Sequence, residues 1–586
     1  MQSQIKKHKT QISNVLVIGS GGAGLRAAIE AKLSGVEVTV IGKRKKEDVH
    51  TVLAAGGINA SFGNVDSQDS WKQHFADTMI EGYHLSEPRM VELMSKEAPM
   101  LVNEIDSWGA NFAKLPNGAI DQRYFGAHTY RRTCYSGDYT GRSILKALIK
   151  KAQELEIPIY DSQYVTELLV QDNLCFGAMA FDINNGQRTV FLADSTILAA
   201  GGHTRIWRKS SSRRNENAGD AFYLALKAGC TLKDMELVQF HPTGMVVPEE
   251  IAGTLVTEAV RGEGGRLLNG LGERYMGKYD AERLELSTRD RVAMANYLEI
   301  SEGRGSNNGG VFLDISHKPK AFIIEKLPRM YRQFLDLLML DISKDPMEVA
   351  PTAHYSMGGV AVEPDSHSTG IEGLFAAGEC TAGLHGANRL GGNSLAEILI
   401  FGKRAGHHAT ERSLSLDIQF RSTEVIQKAH EKIDGFLKDG EHVVRPLQRE
   451  LRNIMWDYCG VVRDEKKLDE GLRLIKQLKS KVHQLDVRPD SEGFEDLMLA
   501  FDLEAAIMSA EATVLGAKER KESRGSHQRS DFVHQSEEQR VNYLIQLSDR
   551  GELLVNQESI PQMSKELKHI IDGTDEIRDF SGMLLE

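Results

Sequence analysis

Apolar and polar positions change period along this chain in a repeating order. VLVI (15–18) is an unbroken apolar run, GSGGAG (19–24) a turn, LRAAIEAKL (25–33) returns apolar residues at helical spacing, and VEVTVIG (36–42) is apolar again. That order predicts a buried strand, a glycine turn, a helix and a second strand, one βαβ unit. The alternation runs on to about residue 243, as in a layered α/β architecture. KALIKKAQELEIPIYDSQYVTELLV (146–170) reads helix, strand, strand, and STILAAGG (195–202) again ends an apolar strand on paired glycines. The polar, basic stretch after it, TRIWRKSSSRRNENAGD (204–220), reads for most of its residues as a solvated surface loop.

Residues 244–350 change character. GEGGRLLNGLGERYMGKY and NNGGVFLDIS are rich in turns, and LPRMYRQFLDLLML is helical. GLFAAGEC (373–380) then returns to the strand-and-glycine theme, so the first domain is discontinuous and closes near residue 415. Beyond it the chain is charged and helically periodic, as in LQRELRNIMWDYCGVV and KKLDEGLRLIKQLKS. The predicted fold class is α/β. A Rossmann-like domain (1–243 and 351–415) carries an inserted α+β domain (244–350) and is followed by a helical domain (416–540). The tail, 541–586, carries no chemical signal.

In the opening unit Gly19 permits the tight turn, Gly21 lets a pyrophosphate approach the backbone, and Gly24 lets the helix pack close to its strand, with phosphates on the helix N-terminus. The preceding strand, the helix and the second strand give the glycines their context. They do not choose between a nicotinamide and a flavin. An acid often ends the second strand of dinucleotide sites, whereas this one ends in Gly42 and Lys43.

Charge and cysteine usage narrow the chemistry. Lys plus Arg is 71 and Asp plus Glu is 83, a net −12, which argues against nucleic acid as a partner. Any anionic substrate must therefore meet locally placed cations. The five cysteines are scattered and form no CxxC, so neither an iron–sulfur cluster nor a zinc site is expected, and a reducing compartment is. No segment approaches the roughly 20 apolar residues of a membrane span.

Several stretches pair glycine backbone with charged or imidazole side chains: HTVLAAGGINAS from His50, QFHPTG around His241, TEAVRGEGG from Thr257, STRD ending in Asp290, PTAHYSMGG around His354, and HGANRLGGNSL from His385. Guanidinium groups grip carboxylates in a bidentate fork and imidazoles add donors, so this inventory suits a small dianionic acid.

These stretches, in this order, resemble the flavoprotein subunit of succinate dehydrogenase and fumarate reductase. The resemblance runs from about residue 13 to 540 and includes MWDYCGVVRDEKKLDEGL and ESRGSHQRSDF. It implies FAD as cofactor, joined covalently to the histidine matching His50, which would raise the flavin potential toward that needed for succinate. Gly19, Gly21, Gly22, Ala23, Gly24, Lys43, Thr51, Gly56, Gly57, Asp220, Glu379, Ser394 and Leu395 match the family's remaining FAD contacts. His241, Thr257, His354 and Arg389 would hold the two carboxylates. Arg289 would carry the proton, relayed through Glu258 and Arg261. Arginine is normally protonated, with a pKa above ~12, so this role requires neighbouring cations and a site without water.

The inserted domain is similar to the family's capping domain. The resemblance further implies a dicarboxylate substrate, an iron–sulfur subunit to take the electrons, and a membrane anchor or quinone-reactive subunit. The chain would then sit peripherally at the cytoplasmic face. The nearest alternative is L-aspartate oxidase. Against it stand His50 in the attachment position and Phe125 in FGAHTYRRT (125–133), where that oxidase would carry an acid for the substrate amine. A flavoprotein without catalysis would leave the retained Glu258, Arg261, Arg289, His354 and Arg389 unexplained.

Overall fold

The computed structural model describes residues 8–489, 493–571 and 583. Its first strand, Lys9–Ile18, buries Val15 to Ile18 completely or nearly so. It pairs in parallel with Val38–Ile41 on one edge and with Arg188–Leu198 on the other. A strand covered on both faces reads as a continuous apolar run, which is why VLVI shows no alternation. Across the sheet the order is Ile159–Tyr160, Val38–Ile41, Lys9–Ile18, Arg188–Leu198, Leu174–Asp182, Gln163–Gln171. Leu174–Asp182 is antiparallel to Arg188–Leu198 and pairs with it at Gly177 to Phe181. Further along that strand Leu374–Ala376 pairs in parallel with Thr196 to Leu198. The chain thus returns to the sheet at GLFAAGEC, as the repeated strand-and-glycine pattern predicts.

Helix Gly22–Leu33 packs on helix Asn393–Leu414, which follows that return. Their backbones approach closely because Gly402 and Gly406 face them: an added Cβ would lie 2.6 Å from the Ala23 oxygen and 2.3 Å from the Ala27 oxygen. Two segments whose first residues are Gly22 and Asn393 therefore close one layer.

Antiparallel strands Val238–Met245 and Met347–Ser356 bracket the inserted segment, and Val311–Asp314 and Arg266–Leu268 extend their sheet. Val260, Leu267, Val292, Leu313, Phe334 and Met347 belong to an apolar cluster of this segment, separate from that around the βαβ unit. Helix Pro328–Leu338 is tied to the first domain by its start. The Arg329 amide donates to Asp138 Oδ2 at 3.0 Å and its NH1 to the Leu53 carbonyl at 3.3 Å.

Helices Val444–Tyr458, Glu465–Lys481 and Glu495–Glu519 pack together. The last is buried on nearly every face and carries Asp502 inward. Strands Val541–Leu547 and Leu553–Ser559 form a hairpin that adds to Leu232–Lys233. Among the described residues no helix is long and apolar enough to cross a membrane. All five cysteines are buried and unbridged.

Candidate functional site

One cavity of about 670 Å³ runs from the glycine turn to the inserted segment. At its first end the turn after the opening strand is forced by close approach. Gly19 has φ +120°, and an added Cβ would sit 2.1 Å from the Ala199 oxygen; one on Gly24 would sit 1.8 Å from the Gly19 oxygen. Gly21, by contrast, has only the Thr51 hydroxyl within 4 Å of such an atom. The helix that starts at Gly22 takes no cap from the Gly21 side, its Gly22 amide is accepted by the Thr51 hydroxyl at 3.1 Å, and the open Gly21 face leaves room for a phosphate at the helix start.

At one wall of the cavity Lys43 bonds Asp220 at 3.1 Å and Asp502 at 2.6 Å, and the Tyr164 hydroxyl donates to Asp502 at 3.0 Å. Burial opposes the charge on Lys43, yet the two carboxylates hold its pKa above the ordinary value. Burial lifts Asp502 to about 7 against the pull of Lys43. Asp220 Oδ1 is buried without a partner among the described residues, an acceptor left for a donor in the cavity. Sequence reasoning missed Asp502; its signal was an acid among the apolar residues of LMLAFDLEAA.

The stretch 204–220 does not lie in solvent. Only Arg208 and Arg214 of it are exposed, while Arg205 and residues 210–217 line the cavity. Its serines and Glu216, which read as surface composition, are spent on internal bonds. Ser211 Oγ lies 2.8 Å from His354 Nδ1, and Glu216 Oε1 lies 3.0 Å from His50 Nδ1. Glu216 in turn accepts from Arg213 through its amide at 2.7 Å, Nε at 3.3 Å and NH2 at 3.1 Å. Thr51, next to His50, accepts from the Gly22 amide at 3.1 Å, so the His50 turn and the glycine turn are one unit.

At the other end strand Val238–Met245 and helix Arg289–Glu299 bring the charged groups together. Arg289 Nε donates to Glu258 Oε2 at 2.7 Å and its NH1 to Gln239 Oε1 at 3.2 Å. Arg389 NH2 donates to that same Gln239 oxygen at 3.0 Å, its NH1 to Ser394 Oγ at 3.0 Å, and its guanidinium stands 4.4 Å over the Tyr355 ring. Arg261 NH2 is 3.9 Å from Glu258 Oε2. The Gly126 amide donates to Glu258 Oε1 at 3.2 Å. The His241 and His354 rings stand 5.2 Å apart, edge to face. Gln239 escaped the sequence reading, although it lies two residues before His241 on one strand, the spacing of a shared face.

Glu258 is held at about 2: burial alone would raise it, and the guanidiniums of Arg289 and Arg261 outweigh that. Burial, then the Arg289 and Arg261 charges, push His241 well below the ordinary histidine value. Burial and His241, Arg389 and Arg289 do the same to His354. Burial followed by Arg289 lowers Arg389 to about 10. Arg289 and Arg261 face the carboxylate of Glu258, and Arg389 adds a guanidinium in the same wall, donors suited to carboxylates.

Of the residues singled out from sequence, Gly19, Gly21, Gly22, Ala23, Lys43, His50, Thr51, Gly56, Gly57, Asp220, Glu379, Ser394 and Leu395 line this cavity, as do His241, Thr257, Glu258, Arg289, His354 and Arg389. Gly24 lies against Gly19 behind the turn, and Arg261 is fully buried behind Glu258. Phe125 is in the wall as well. A glycine turn with an open face in one cavity with Arg289 and Arg389 suits a dinucleotide-dependent oxidoreductase, and the open Gly21 face and orphan Asp220 oxygen fit FAD.

The chain matches the FAD binding domain family over residues 14–395 and the fumarate reductase flavoprotein C-terminal family over residues 448–563. It is 45% identical to a subunit of the CoM/CoB fumarate reductase of Methanothermobacter marburgensis, over 91% of this chain and 96% of that one. With the succinate dehydrogenase flavoprotein subunit of Rickettsia conorii it shares 33% identity over 92% and 93%. The structure of the E. coli quinol fumarate reductase chain FrdA superposes with a TM-score of 0.90 at 30% identity, covering 95% of this chain and 98% of that one. This chain belongs to the family of succinate dehydrogenase and fumarate reductase flavoprotein subunits, and is an FAD-dependent oxidoreductase of that kind.

Proposed function

We propose that the protein interconverts succinate and fumarate, with FAD carried covalently on His50 and electrons passed to an iron–sulfur partner and on to a quinone. The observation that carries this reading is that Arg289 and Arg389, both in the wall of the cavity that holds the glycine turn, meet on the buried Gln239. FAD, when bound, supplies the two-electron acceptor or donor at N5.

The chain's own residues do the rest. Arg389, His241, His354 and the Thr257 hydroxyl bind the two carboxylates and fix the carbon skeleton between them. The imidazoles, kept neutral by burial beside guanidiniums, act as hydrogen-bond donors without adding charge. Arg289 is anchored through Nε and NH1, and no described residue bonds its NH2. That nitrogen gives or takes the proton on the second carbon. Glu258, ionised and in contact with Arg289 and Arg261, relays the proton. The inserted segment, tied down through Arg329, covers the site and excludes water.

The names of the relatives as subunits support a partner chain for the electrons, consistent with a sequence that has no clustered cysteines of its own. A membrane anchor or quinone-reactive subunit would hold the protein peripherally at the cytoplasmic face. Phe125 in the wall offers no acid to a substrate amine and disfavours L-aspartate oxidase. An anaerobic titration tests the reading. Succinate should bleach the bound flavin and L-aspartate should leave it oxidised; the reverse pattern would assign the site to the amino acid.

A further inference from the structure

Helix Trp71–Glu81 ends against the stretch that carries Arg389. Glu81, its last residue, is 2% exposed, and its Oε1 accepts from Asn388 Nδ2 at 2.7 Å. Asn388 Oδ1 accepts in turn from Gln239 Nε2 at 2.8 Å and from the Arg389 amide at 3.1 Å. Gln239 completes the series with its Oε1 on Arg289 and Arg389. The turn after Glu81 is tied to the same stretch by backbone, since the Gly82 carbonyl accepts from the Ala387 amide at 2.9 Å. Tyr83 and His84 follow with φ +54° and +57°, in the left-handed region that residues with side chains seldom adopt. Arg524 NH1 holds the Tyr83 carbonyl at 3.1 Å. A backbone of this kind persists where its surroundings over-determine it, so the place of Glu81 is fixed from several sides.

We propose that Glu81 is a positioning residue for Arg289 and Arg389, acting through Asn388 and Gln239. The inference rests on the succinate and fumarate reading of the cavity and adds what turns an acceptor toward its two arginines. A side-chain amide donates at one end and accepts at the other, whereas an ionised carboxylate only accepts. Glu81 therefore takes the NH2 end of Asn388, which leaves the Asn388 oxygen to face Gln239. Gln239 must then give its own NH2 end to Asn388, and its oxygen is left for the guanidiniums. Glu81, Asn388 and Gln239 are all buried behind the cavity wall, so the polarity is handed from one to the next without water. With Glu81 gone, the Asn388 NH2 group is a buried donor that has lost this acceptor, which is costly. Turned end for end, Asn388 would set that group against the Gln239 NH2 and the Arg389 N–H, donor against donor. In either state Gln239 is held less firmly, and both arginines lose part of their shared anchor.

Because the effect passes through Gln239, the test makes Glu81→Met in two backgrounds, wild type and Gln239→Leu, each as the full chain loaded with FAD. Chemically reduced flavin is reoxidised by fumarate without oxygen, and the rate is read per bound flavin across fumarate concentrations, which removes any loss of folded protein from the comparison. In the wild-type background Glu81→Met should lower the second-order rate constant by about tenfold, the scale of one hydrogen bond to a charged group. In Gln239→Leu the same substitution should change it by less than about twofold, since the residue it acts through is gone. An equal fall in both backgrounds would reveal a structural role alone and overturn the proposal, and so would a Glu81→Met chain that reoxidises as fast as wild type. Wild-type flavin that stays reduced in excess fumarate would overturn the reading of the cavity itself, and this proposal with it. Should Glu81→Met fail to fold, an exchange of acid and amide decides. Asn388→Asp alone sets two carboxylates against each other and should slow reoxidation by at least about tenfold. Adding Glu81→Gln again gives Gln239 an acceptor for its NH2 end, and the rate should return to within about threefold of wild type. A double variant no faster than Asn388→Asp alone would refute the relay of polarity from Glu81.

Discussion

Arg289 and Arg389 share one acceptor: the side-chain oxygen of Gln239 lies 3.2 Å from NH1 of the first and 3.0 Å from NH2 of the second. Gln239 is held the right way round because its amide nitrogen donates to Asn388 Oδ1 at 2.8 Å and to the Arg389 carbonyl at 2.9 Å. Two like charges are thus kept close by a neutral oxygen between them. Hydrogen bonds to charged groups are worth about 1.5–3 kcal/mol each. Gln239→Leu should therefore raise the KM for succinate about tenfold or more and lower kcat as well, since one released guanidinium binds and the other carries the proton. Unchanged steady-state constants in Gln239→Leu would show that each arginine is placed independently.

Arg289 is anchored at two nitrogens, so its removal separates binding from chemistry. In Arg289→Ala, dicarboxylates should still perturb the flavin spectrum through Arg389, His241 and His354. Turnover should fall by about 10²–10⁴, the usual contribution of a positioned proton donor. Turnover within a factor of a few of wild type would remove Arg289 from the role.

Lys43 neutralises two acids from different parts of the chain, the half-buried Asp220 and the buried Asp502. Lys43→Met leaves both carboxylates without their cation. Breaking a buried pair in this way costs about 3–5 kcal/mol, read as a lowered melting temperature and a reduced FAD content. A melting temperature equal to wild type would mean that the pair contributes nothing to joining the helical and FAD-binding parts.

Burial keeps four histidines neutral: it lowers His74 and His203 to about 3 and His128 and His367 to about 4. In the unfolded chain they take up protons near ~6.5. A depressed folded pKa gives stability that is complete above ~6.5 and is lost as the pH falls toward the folded value, about 2 kcal/mol per histidine at pH 5. The denaturation midpoint should fall between pH 7 and pH 5. A midpoint that is flat or rises over that interval would contradict the assignment of these rings as neutral.

Much of this site was legible in the chain because its residues carry local reasons. Gly19 and Gly24 are required by contacts under 2.2 Å, and VLVI by burial on both faces. The return of GLFAAGEC to the sheet repeats a pattern met twice before. What escaped depends on distant partners. Glu216 sits in a stretch whose composition is that of a surface loop, and only its contact with His50, 166 residues away, gives it meaning. Asp502 comes from a helix whose near-total burial is set by packing against neighbouring helices, not by its own periodicity. Gln239 is neutral, and nothing in a neutral amide announces that two arginines meet on it.

The most direct test of the account is the reoxidation of chemically reduced flavin by fumarate in the purified chain, followed anaerobically by absorbance. Wild type should recover the oxidised spectrum on adding fumarate, and Arg289→Ala should bind fumarate yet stay reduced on the same timescale. A wild-type flavin that remains reduced in excess fumarate, or an Arg289→Ala flavin that reoxidises as fast as wild type, would contradict the assignment of this cavity to proton-coupled succinate and fumarate chemistry.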